Sequence, residues 1–207
     1  MSDLRNPHFP DDDALRDDPR NVIDHFKYWD HEAIVAALDT RRNRFAVVLE
    51  NFAYDFNIAT AVRNANAFLA REVWVVGRKR YDRRGAQGTH RYQHLHHAAT
   101  TPEAVAALRG EGYRVVAVDN VDGAASLIGY RWHPETVMVF GQEAIGVSPA
   151  ALEVADDVVY IPQYGSTRSI NVGSASAVAM YAYAADVVGD PAPWDDATGA
   201  ERGDGPV

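Results

Sequence analysis

The chain has 207 residues, 47% of them hydrophobic and 24% charged, with a formal net charge of −9 and no cysteine. That is enough apolar material for one compact core, and it excludes a disulfide framework and any cysteine-ligated zinc. Apolar runs stop well short of the ~20 residues that a membrane span requires, and the acidic opening MSDLRNPHFPDDD is unlike a signal peptide, so a soluble, cytoplasmic protein is expected.

Acid is concentrated at the ends, in Asp11, Asp12, Asp13, Asp17 and Asp18 and again in Asp190, Asp195, Asp196, Glu201 and Asp204. With proline and glycine among them, residues 1–20 read as a flexible acidic terminus and 189–207 as a disordered acidic tail, which leaves 21–188 as the folded domain. A helix is predicted over Asn21–Leu38, docking through Val22, Ile23, Phe26, Trp29, Ile34 and Leu38. Short, β-branched apolar runs follow at Arg44–Glu50, Glu72–Val76, Tyr113–Val118, Thr136–Phe140 and Val158–Ile161. Such runs suit strands covered on both faces, hence a mostly parallel sheet. Between them, Ile58–Leu69 carries apolar residues at helical spacing, and PEAVAALRGEG from Pro102 starts with proline and stops at glycine, as helices do. From Ser169 onward a last helix is small-residue-rich almost all round, which implies close packing in the core or at a subunit interface. The alternation predicts an α/β fold with helices on both faces of the sheet and ligands beyond the carboxyl ends of the strands.

Three strand exits hold polar residues. In the first, Asn57 precedes Arg63 by six positions, about 240° around a helix, so the two do not share a face if both are helical. Asn57 reads equally as a helix cap or a functional group, whereas Arg63 is a lone cation among alanines and a valine and should face an anion or a pocket. In the second, Gly141 and Gly146 bracket Glu143 directly after a strand, where backbone can pass close to a ligand. Neither the phosphate-loop ending nor the GxGxxG fingerprint is present. The third, IPQYGSTRSINVGSASAVAM from Ile161, runs from a strand end through a polar loop into the small-residue helix and reads as a pocket wall. A basic stretch from Arg78 to His97 interleaves Arg78, Lys79, Arg80, Arg83, Arg84 and Arg91 with Tyr81, Tyr92 and four histidines. Cations among aromatics suit phosphates and unstacked bases, against the plainer reading of a solvated loop. The histidines have no companion ligands at metal spacing, so no metal is expected.

Taken together, NIATAVRNANAF from Asn57, GQEAIG from Gly141, and Ile161-Pro162 followed by SINV from Ser169 resemble the three motifs of the SpoU/TrmH family of RNA ribose 2′-O-methyltransferases, in the SPOUT class. The resemblance covers about Phe45 to Val187. It departs mildly, with Ala144 for a usual glycine, Ile170 for a usual leucine and Leu69 where a glycine often stands. What it implies is a C-terminal deep trefoil knot that binds S-adenosylmethionine through Gly141, Gly146, Ile161 and Ile170, and a homodimer whose interface includes the last helix. It also implies a reactive group of Arg63, Asn57, Glu143, Ser169 and Asn171. Family precedent makes Arg63 the base, but a guanidinium of pKa above ~12 seldom gives up its proton. The alternative is that Arg63 clamps the target phosphate and stabilises the developing alkoxide. Ser169 and Asn171 would orient the ribose, and Glu143 would hold a backbone amide or Asn57, or serve as a loop anchor. Only about forty residues precede the first strand, so RNA recognition is expected to rest on this domain and that short extension, with tRNA favoured over rRNA by resemblance to other small forms. Competing readings are a non-catalytic RNA-binding module of the same fold and a Rossmann-like small-molecule enzyme.

Overall fold

The structure is a computed structural model that describes residues 19–50, 55–78, 80–142 and 145–194, without the side chains of Asp55 and Phe56. Among them, seven strands form one sheet: β1 (Asn43–Leu49), β2 (Ala70–Val76), β3 (Leu95–Ala98), β4 (Arg114–Val118), β5 (Ala125–Ser126), β6 (Thr136–Phe140) and β7 (Asp157–Tyr160). Their order is β3-β2-β1-β6-β4-β7-β5, and every neighbouring pair is parallel. The chain lays down β6 between β1 and β4, and then β7 between β4 and β5, so its later strands enter between neighbours formed by earlier ones.

The alternation of side chains along each strand builds a core on either face. Phe45, Val47 and Leu49 of β1 join Met138 and Phe140 beneath α2 (Asp55–Ala67) and α5 (Val172–Tyr183). Ala46 and Val48 face the other way, with Val137 and Val139, toward α3 (Thr101–Arg109) and α4 (Pro149–Glu153). Thr100 caps α3 by accepting from the Glu103 amide, and Ser148 caps α4 by accepting from that of Ala151. No helix among the described residues is long and apolar enough to cross a membrane.

The helix expected over Asn21–Leu38 is broken. A 3-10 turn at Asp24–Phe26 is followed by Tyr28 at φ 61°, and α1 begins only at His31, running to Asp39. A positive φ at a non-glycine residue cannot continue a right-handed helix. The aromatic residues of this extension form their own small core, where Phe26, Trp29, Ile34 and Leu38 meet Tyr92. The tail expected from residue 189 begins with an ordered contact, since Trp194 packs on Phe26 at 4.9 Å and lies under the Arg41 guanidinium at 4.1 Å. Residues 195–207 and most of the acidic N-terminus fall outside the described residues.

Candidate active site

The site begins where the strands stop. Leu49, Phe140, Val118 and Val159 lie side by side across β1, β6, β4 and β7. The residues just past three of these strands are therefore neighbours: Glu50, Gly141 and Asp119. Glu50 is 5% exposed, and its carboxylate accepts from the Ser148 amide at 2.7 Å and from the hydroxyls of Ser148 and Thr101 at 2.6 Å. Asp119 accepts from the Val147 amide at 2.7 Å. Two carboxylates thus pin consecutive residues at the end of the glycine turn, and Gln142 and Gly146 close it by exchanging backbone hydrogen bonds of 2.9 and 2.7 Å.

That turn corrects one expectation about Gly141. A side chain there would collide with the backbone of Gly146 and Val147 at 2.1 Å, so the space is needed by the chain itself rather than by a ligand. Gly146 has φ +72°, and a Cβ on it would sit 2.3 Å from the Asp119 carboxylate. Glu143 and Ala144, at the tip, lie outside the described residues, so Glu143 has no structural account.

A cavity of about 700 Å³ opens beyond β4, β6 and β7. Its walls include Gly141, Gly146, Ile161, Ser169, Ile170 and Asn171, together with Val118, Asp119, Phe140, Gln163 and Arg168. All four residues expected for a cofactor and two expected for the ribose therefore share one pocket. Apolar surface for a flat ring and a few convergent polar groups give it the character of a small-molecule site.

Asn57 and Arg63 come from α2, which meets the cavity through α5. The Asn171 side-chain amide donates to Asn57 Oδ1 at 2.9 Å, while Asn171 Oδ1 caps α5 by accepting from the Ser174 amide at 3.2 Å. Asn57 is thereby a buried residue within α2 rather than its cap, and α5 starts after Asn171 instead of at Ser169. Two turns further along α2, Asn64 donates to the Gly173 carbonyl at 2.8 Å and to Ser176 Oγ at 3.0 Å. Arg63 projects from another face of α2. It is exposed, makes no hydrogen bond or ion pair among the described residues, and does not line the cavity.

The basic stretch is less of a loop than expected. It contains 3-10 turns at Arg83–Ala86 and Thr89–Tyr92 and then β3. Gly85 and Ala86 are buried while Arg78, Arg80, Arg83, Arg84 and Arg91 are exposed; Lys79 lies outside the described residues. Arg84 is held by Asp82 through both carboxylate oxygens, at 2.8 Å to the nearer one from Nε. Burial, reinforced by Arg83 and Arg91, pushes the pKa of His90 down, so this histidine adds no charge near neutrality. Glu50, Asp119, Asn64 and Arg168 are the site residues that sequence reasoning missed. For Glu50 and Asp119 the available signal was a carboxylate directly after an apolar strand.

A parallel α/β sheet with a cavity at its carboxyl edge, walled by a glycine turn and a helix start, defines a ligand-binding α/β domain. The family is more specific: the profile of the SpoU rRNA Methylase family matches residues 44–181, more than half of the chain, and the chain belongs to that family. It is 30% identical over 151 residues to the tRNA (guanosine(18)-2′-O)-methyltransferase of Escherichia coli K12; the match covers 72% of this chain and 66% of that protein. The fold is shared with the TrmH/SpoU tRNA modifying enzyme of A. aeolicus, at TM-score 0.66 and 24% identity over 73% of this chain and 79% of the other. It is shared too with the SpoU methyltransferase AviRb from Streptomyces viridochromogenes in complex with AdoMet, at TM-score 0.65 and 23% identity over 72% and 60% of the two chains.

Proposed function

We propose that the chain is an S-adenosylmethionine-dependent RNA methyltransferase that modifies a ribose 2′-hydroxyl of tRNA or rRNA, tRNA being favoured by its curated relatives. The observation that carries this reading is the Asn57–Asn171 hydrogen bond, which joins the first and third motifs at the rim of a cavity walled by the second and third. Gly141, Gly146, Ile161 and Ile170 would hold the cofactor, and the cavity's mixture of aliphatic walls and polar groups fits a nucleoside carrying a charged amino acid. When bound, S-adenosylmethionine supplies a methyl group already activated by its positive sulfur.

The residues of the chain then have to position and activate a poor nucleophile. Asn171, oriented by Asn57, and Ser169 present polar groups at the cavity to orient the ribose. Arg63, on the solvent side, meets the RNA phosphate and stabilises the alkoxide that develops as the hydroxyl proton leaves to phosphate or water. Arg78, Lys79, Arg80, Arg83 and Arg91 extend the contact with the RNA backbone, and Arg84, tied to Asp82, contributes less. Glu143, which lies outside the described residues, would by its motif position hold a backbone amide or the Asn57 side chain.

The working unit is a homodimer of 21–188 domains in the cytoplasm. In support of the dimer, Ser174, Val178, Tyr181, Ala185 and Val188 form one exposed, largely apolar stripe along α5 and the π turn that extends it; Val178 is 41% exposed and Tyr181 65%. The late insertion of β6 and β7 between earlier strands supports a trefoil knot. Calorimetry with S-adenosylmethionine tests the reading: binding in the micromolar range is expected, and absence of binding removes the enzyme assignment.

A further inference from the structure

Residues 158–185 contain no acidic residue, in a chain with 29 of them, and Arg168 is their one charged side chain. Residues 56–70 repeat the pattern with Arg63 alone. The two acid-free stretches are joined by the Asn57–Asn171 hydrogen bond. Arg63 lies six residues beyond Asn57, about 9 Å along α2, and Arg168 stands three residues before Asn171, within about 11 Å of it even if the chain is fully extended. Both guanidiniums are exposed and, among the described residues, make no hydrogen bond or ion pair. Arg168 also lines the cavity mouth, and four positions earlier Tyr164 is 89% exposed on the same loop.

Keeping an aromatic ring of that size in water, four positions before an arginine with no carboxylate partner, has no packing purpose among the described residues. Together the two side chains offer what a splayed nucleotide requires, a flat face for its base and a fork for its phosphate. We infer that the loop from Gln163 to Arg168 is an RNA-contacting surface. Tyr164 stacks on a base at or next to the modified nucleotide, and Arg168 grips a phosphate, so that it and Arg63 hold the backbone from the loop and from α2. This inference rests on the methyltransferase reading and assigns the loop to substrate rather than to cofactor.

The test uses full-length protein with unfractionated tRNA as the RNA probe and S-adenosylmethionine as the cofactor probe, across Arg168→Ala, Arg168→Lys, Tyr164→Ala and Tyr164→Phe. Arg168→Ala should make the slope of log affinity against log salt shallower by about one, with Lys restoring it. Tyr164→Ala should weaken tRNA binding roughly ten-fold and Phe should retain it. Cofactor affinity should stay at the wild-type value in all four. Unchanged tRNA affinity and slope in both alanine variants overturn the inference. So does a loss confined to cofactor affinity in Arg168→Ala, which places that guanidinium on the cofactor's carboxylate. Wild-type protein that binds cofactor but no tRNA overturns the RNA surface alone; wild-type protein that binds neither overturns the methyltransferase reading with it.

Discussion

Asn57 and Arg63 share α2 yet face apart, one buried against α5 and the other in solvent, and that separation divides their work. Arg63→Ala is expected to lower methyl transfer by at least about 10²-fold, the scale of losing a charge-stabilising donor, while cofactor affinity by calorimetry stays unchanged. Arg63→Lys separates planar clamping from simple charge, and full activity in that variant counts against the bidentate form. Asn171→Ala removes a helix cap, at about 1 kcal/mol, and deletes the hydrogen bond to Asn57. Turnover should be lost while cofactor binding remains measurable; a melt showing loss of the fold would make Asn171 structural only. These polar residues were legible because each stands out in an apolar run. Glu50, Asp119 and Asn64 were not, because their roles exist only through partners far along the chain, such as Ser148, 98 positions from Glu50, and Gly173, 109 from Asn64.

Among the elements, β1, β2, β4, β6 and β7 were readable since burial on both faces of a parallel sheet demands unbroken apolar runs. β3, β5 and α4 escaped. β3 is the histidine-bearing LHHA on a sheet edge, β5 has two residues and α4 five, too short for periodicity to register. The glycine turn makes the sharpest prediction at this scale. Gly146→Ala forces a strained φ and a collision with Asp119, so cofactor affinity should fall by more than about ten-fold, with a smaller loss of melting temperature. The joint between β4, β7 and the loop at Tyr130 depends on pH. The Arg114 guanidinium, 2.9 Å from Asp157, holds that carboxyl below the usual range, and the Tyr130 hydroxyl donates to the same oxygen at 2.7 Å. A carboxyl with a lowered folded pKa stabilises the fold above its unfolded value, 3.8, and that contribution is lost as pH falls through the folded pKa. The melting-temperature difference between wild type and Asp157→Asn should therefore be constant from pH 5 to 8 and vanish in strong acid.

For the whole molecule, net charge misleads and distribution informs: the −9 is gathered toward the termini, while Arg63 stands exposed on α2 and Arg168 at the cavity. The stripe through Val178 and Tyr181 predicts that Tyr181→Asp converts a dimer to monomer in sedimentation velocity, and a wild-type monomer would contradict the dimer. Parallel architecture followed from the sequence pattern, but strand order did not. The insertion of β6 and β7 between earlier strands is a long-range property that no local periodicity encodes. Ribose methylation is measured by incubating the protein with methyl-labelled S-adenosylmethionine and total RNA, then digesting the RNA with nuclease. Label is expected in nuclease-resistant, 2′-O-methylated dinucleotides from a tRNA or rRNA fraction, and is expected to be lost with Arg63→Ala. Label in a base, or no transfer by protein that binds the cofactor, would contradict ribose methylation.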